Sequence, residues 1–123
     1  MTMNLVTVVS VAVSIMLSTV APAGAHAFLE RADPRVGSTM KTPPTETRLW
    51  FTDDLDPQSS SVHVVDQAGQ RVDKGDSRVD TSNHALLRVS LPALTPGLYK
   101  VIWHVVSPDG QVSAGDFTFR IAP

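Results

Sequence analysis

"LYKVIWHVVSPDGQVSAGDFTFRIA", residues 98–122, decides the fold. Tyr99, Val101, Trp103 and Val105 occupy alternate positions and share one face of an extended strand, opposite Leu98, Lys100, Ile102, His104 and Val106. "SPDG" at 107–110 breaks that strand with turn-forming residues. The β pattern then resumes, with Phe117, Phe119 and Ile121 alternating against Asp116, Thr118 and Arg120. On the N-terminal side, "TPG" (95–97) is a turn, and "HALLRVSLP" (84–92) sets Leu87, Val89 and Leu91 against Leu86, Arg88 and Ser90. "SSVHVVD" (60–66) reads as another strand, followed by a turn through "QAG" into Gln70 to Val72. "ETRLWFT" (46–52) is rich in β-formers and follows the breaker pair Pro43-Pro44. Trp50 and Trp103, set in such strands, are expected in the core. Short strands divided by Pro, Gly and Asp, with no sustained helical period, predict an all-β sandwich or barrel.

The first 25 residues differ from the rest: they hold no Lys, Arg, Asp or Glu. Leu5 to Val20 is apolar but diluted by Ser10, Ser14, Ser18 and Thr19. A signal-peptide core needs only about 7–15 apolar residues, against about 20 for a spanning helix. Ala23-Gly24-Ala25 fits the small-residue cleavage pattern, although Met1 to Asn4 lacks the usual positive charge. Ala25-His26-Ala27 is a second small-x-small triplet, so a cut after Ala27 is the alternative. The expected organisation is a signal peptide over 1–25 and one domain over 26–123, periplasmic or extracellular, monomeric, and soluble after cleavage. Cysteine is absent, which excludes disulfides, thiolate metal sites and a cysteine nucleophile. Ten basic and twelve acidic residues give a net charge of −2 without long runs of one sign, and nothing suggests nucleic acid or an anionic membrane as partner.

A cut before His26 would make that residue the mature amino terminus. Its α-amine and imidazole Nδ1 could then close a six-membered chelate ring with two nitrogen donors, a set that suits Cu(II). Both nitrogens bind only when unprotonated. In model peptides an α-amine titrates near pH 7.7–8.0 and an imidazole near 6.5, so affinity should fall as pH drops. The bland reading is a polar residue beside a cleavage site. Two nitrogens alone rarely make a specific site, so another donor must come from elsewhere in the fold. Asp109 is a candidate, although Pro-Asp-Gly is equally a preferred turn sequence. Ser107 and Asp109 lie close together, but no G-x-S-x-G elbow or plausible base accompanies them, and hydrolysis has little support. "DDLD" (53–56) and "DKGD" (73–76) read as solvated loops.

The mature sequence resembles the periplasmic copper-binding proteins of the copper-resistance CopC family. The resemblance rests on His26 with "AFLERADPRVGS", on "PPTETRLWFTDDLDP" and on "LPALTPGLYKVIWHVVSPDGQVSAGDFTF", in that order and spacing. It implies an immunoglobulin-like Greek-key sandwich of about seven strands, holding Cu(II) at one end through the terminal His and through the Asp and His of a D-x-H motif. Here that motif reads Asp109-Gly110-Gln111. His26 and Asp109 carry over as metal ligands, while Gln111 replaces the second histidine and implies weaker Cu(II) binding, with water completing the site. No other histidine clearly replaces it. His104 would lie roughly 13–16 Å from the loop if the intervening residues are extended; His63 reads as a strand residue, and His84 is the best substitute. Family members that also bind Cu(I) use several methionines; Met40 alone remains beyond residue 25, so that site is rejected.

The resemblance further implies a binding protein, not an enzyme, serving copper resistance or homeostasis and passing copper to a CopD-like inner-membrane protein. Two alternatives stand beside it. One is an immunoglobulin-like interaction module with a degenerate metal site; the other is a copper monooxygenase, which would need a second brace histidine.

Overall fold

Alternating apolar residues build eight strands in the computed structural model, which describes residues 26–123. They are β1 (Leu29–Asp33), β2 (Thr39–Met40), β3 (Glu46–Phe51), β4 (Ser61–Val65), β5 (Arg78–Val79), β6 (Leu86–Ser90), β7 (Gly97–Val106) and β8 (Val112–Ile121). One sheet runs β1-β3-β6-β5 and the other β2-β8-β7-β4. The chain passes repeatedly between the sheets, giving the expected Greek-key, immunoglobulin-like sandwich. Every pairing is antiparallel except β2 with β8. The count exceeds seven because β2 and β5 are only two residues long.

The strand parity holds where the apolar period is strong. Val101 and Val105 of β7 are fully buried, and Phe117, Phe119 and Ile121 of β8 join them in the core. Leu49, Phe51, Leu87 and Val89 face them from the other sheet, with Val62 and Val64 from β4. Each such side chain contributes about 1.5–3 kcal/mol on full burial. The Tyr99 ring stacks on Phe119 at 5.6 Å, and its hydroxyl donates to the Thr95 carbonyl at 2.6 Å, fixing the turn into β7.

The two tryptophans part company. Trp103 packs partly buried against the core, 6.1 Å from Phe51 and 6.2 Å from Phe117 between ring centroids. Its cross-strand partner is Gly115, where an added Cβ would lie 2.5 Å from the indole Cζ2. Trp50, by contrast, is not a core residue. Leu49 and Phe51 take the inner face of β3, so the residue between them must point outward. There the Arg31 guanidinium sits 4.1 Å over its ring and Arg48 lies at 5.3 Å.

"DKGD" also departs from a solvated loop, because the Asp73 side chain is fully buried. Its carboxylate accepts the Val64 N–H and the Gly75 N–H, each at 2.8 Å, together with Arg71 Nε. The Ser77 hydroxyl oxygen accepts the Val62 N–H at 2.8 Å. The amides of Val62 and Val64 on the side of β4 away from β7 are therefore taken by side chains.

Candidate metal centre

Loop 107–111 is built to present a carboxylate. Ser107 N–H donates to the Gln111 carbonyl at 3.0 Å and Gly110 N–H to the Ser107 carbonyl at 2.8 Å, closing the hairpin. Gly110 has φ +87°, a left-handed conformation that disfavours a side chain. Ser107 is buried, and its hydroxyl donates to Asp109 Oδ1 at 2.7 Å. The Gln111 N–H reaches the same oxygen at 3.3 Å, while Oδ2 accepts no hydrogen bond among the described residues. The Ser107 hydroxyl, then the Gln111 amide and, least, the charge of His26 hold the Asp109 carboxyl below its usual range. The aspartate is thus ionised at neutral pH, with one oxygen open toward solvent.

His26 acts on the same loop only through this weak charge effect, although the two residues come from opposite ends of the sequence. Ala27 is completely buried, so its exposed neighbours His26 and Phe28 project together, their ring centroids 6.1 Å apart. Thr52, just beyond β3, fastens the segment. Its Oγ1 accepts the Phe28 N–H, and its own N–H donates to the Phe28 carbonyl, both at 2.9 Å.

The remaining histidines sit on β7, on β4 and just before β6. His104 is an exposed residue of β7 paired with Ser61 and Ala114, and His63 is half-buried on β4 opposite Ile102. His84 is exposed and, with Asp54, Val106, Ser107, Pro108 and Gly110, lines an open hollow of about 580 Å³ beside the loop. Gln111 is exposed, and its side chain makes no hydrogen bond among the described residues. Met40 is half-buried against the core. Among the described residues, no three His, Cys, Asp or Glu side chains converge as a ready-made cage. Imidazole nitrogen and carboxylate oxygen are donor types that suit Cu(II). Sequence reasoning missed Ser107 as the partner of Asp109 and Thr52 as the anchor of the His26 segment. The Ser-x-Asp-Gly spacing was a signal for the first; nothing local signalled the second.

A CopC domain model matches residues 29–122, a span that includes Asp109 and begins just after His26. The chain belongs to the CopC domain family. A CopC of known structure, from Methylosinus trichosporium OB3b, superposes with a TM-score of 0.71 at 29% identity, covering 80% of this chain and 95% of that one. PcoC, a methionine-rich copper resistance protein from Escherichia coli, shares the fold with a TM-score of 0.68 at 22% identity, over 79% of this chain and 99% of its own. Among curated relatives, the copper transport protein CutJ of Bacillus subtilis (strain 168) is 28% identical over 98 residues. That alignment takes in 79% of this chain but only 18% of CutJ, so the CopC domain here spans under a fifth of that protein. Protein YobA of Escherichia coli (strain K12) is also 28% identical over 98 residues, 79% of each chain. The CopC fold of these relatives agrees with the two-sheet sandwich described above.

Proposed function

We propose that this CopC-family chain is an exported copper-binding protein of copper resistance or homeostasis, carrying Cu(II) in a periplasmic or extracellular space. Residues 1–25, which fall outside the described residues, act as its signal peptide, and cleavage before His26 generates the chelating amine. His26 then supplies two nitrogens and Asp109 one oxygen; Gln111 or water takes the remaining position. The protein binds and hands on its cargo without chemical change, and a CopD-like membrane protein is the acceptor. The observation that carries this reading is the ionised, half-free carboxylate of Asp109, oriented by Ser107 at the end of the sandwich where His26 emerges. Copper proteins among the relatives support the choice of cargo.

Calorimetric titration of the 26–123 protein beginning with His26 provides the test. Cu(II) uptake is expected at neutral pH and should weaken steadily from about pH 8 to 5 as amine and imidazole take up protons. One extra residue ahead of His26 should abolish tight binding, and Gln111→His should strengthen it at least about tenfold, since even a ligand's supporting partner is worth about 10–100-fold. Absence of uptake would overturn the proposal in favour of the interaction module, the reading that Gln111 favours.

A further inference from the structure

We infer that Thr52 is a positioning residue: it pins residues 26–28 to the sandwich and so presents His26 in one place before any metal arrives. The ladder between β1 and β3 does not reach far enough to do this. A bulge between Leu29 and Arg31 interrupts it, and Leu29↔Phe51 is its last pair on the N-terminal side. One residue further out, Thr52 holds the chain through backbone and side chain together. Its N–H donates to the Phe28 carbonyl and its Oγ1 accepts the Phe28 N–H, each at 2.9 Å. In a regular antiparallel ladder the second bond would end on a backbone carbonyl. Here a hydroxyl is the acceptor, so the contact depends on which residue stands at 52.

Two further observations carry the pinning on to His26. Ala27 is completely buried and belongs to the core cluster, so its methyl is a fixed point between two exposed residues. Phe28, tied through both its N–H and its carbonyl, sets its ring 6.1 Å from the His26 ring at an interplanar angle of 30°. With residue 27 buried and residue 28 fastened, His26 keeps little freedom beyond its own side-chain rotations and the terminal dihedral. A donor already held in place loses less conformational entropy when it binds. The affinity expected from this rests on the copper reading proposed above; the pinning itself does not.

The experiment compares the 26–123 protein with its Thr52→Val and Thr52→Ser variants by amide hydrogen exchange without metal and by Cu(II) titration. In the parent, the Phe28 amide should exchange more slowly than in an unstructured peptide of the same sequence. Thr52→Val keeps the shape but lacks the acceptor and should lose that protection, whereas Thr52→Ser keeps the hydroxyl and should retain it. Cu(II) affinity should follow the same order. Thr52→Val should bind about tenfold more weakly or worse, since a partner that orients a ligand is worth about 10–100-fold, and Thr52→Ser should match the parent. Melting temperatures of all three should agree closely because residue 52 is exposed, which separates positioning from loss of fold. Free exchange of the Phe28 amide in the parent, equal protection in Thr52→Val, or parent-like Cu(II) affinity in Thr52→Val would each overturn the inference. If the parent takes up no Cu(II), the copper reading falls, and the amide comparison still decides whether Thr52 pins the segment.

Discussion

Ser107 illustrates how much of the proposed centre rests on a residue that would touch no metal. Its hydroxyl fixes Asp109 Oδ1 at 2.7 Å and leaves the second oxygen outward. Ser107→Ala removes that bond, lets the carboxylate rotate and moves its pKa back toward the ordinary value. We expect Cu(II) affinity to drop about 10–100-fold, the usual cost of losing an orienting partner, while circular dichroism shows the fold retained. An unchanged titration would mean that the Gln111 amide alone orients the carboxylate. At this scale the candidate residues were legible and the contacts that hold them were not. Asp109 stands out because Pro-Asp-Gly marks a turn at a strand end. Thr52 is visible only once Phe28 is seen lying beside the end of β3.

Among the elements, the β7–β8 hairpin dominates, pairing without a break from Gly97↔Ile121 to Val106↔Val112. Its tightest point is Trp103 against Gly115, where a methyl would have to lie within 3 Å of two indole carbons. Gly115→Ala should therefore cost about 1–3 kcal/mol by overpacking, a fall in Tm of roughly 4–8 °C per kcal/mol for a domain this size. Thermal melts of the two proteins check this, and an equal Tm would show that the indole can slide aside freely. Strand parity in β6, β7 and β8 could be read from the sequence because each alternates over several residues. β1 escaped because "LERAD" buries only Ala32 fully, and two-residue strands carry no period at all. Trp50 was misplaced for a related reason: residue type suggested burial, whereas its position between Leu49 and Phe51 required the outer face.

For the molecule as a whole, stability should fall in acid through its carboxylates. Burial opposes ionisation of Asp73, but hydrogen bonds from Arg71, Val64 and Gly75 outweigh it and hold its carboxyl below the usual aspartate range. Hydrogen bonds donated by Ser90 lower Asp76, and the bond from Arg88 lowers Asp80. A depressed folded pKa stabilises fully above the unfolded value near 3.9 and loses that effect as pH falls through the folded value. Tm should thus decline steeply below about pH 4, and Asp73→Asn should flatten that limb while lowering Tm at pH 7. An unaltered acid slope in the variant would assign the decline elsewhere. The same aspartate has a role at the margin of the second sheet. With Asp73 and Ser77 occupying the outward amides of Val62 and Val64, and Val72 N–H donating to the Val64 carbonyl at 2.9 Å, the outer flank of β4 offers no template for a foreign strand. β2 and β5 are too short to recruit one, and β1 is interrupted by a bulge between Leu29 and Arg31. A cysteine-free domain with its borders sealed in this way is guarded against amyloid-like stacking by geometry alone.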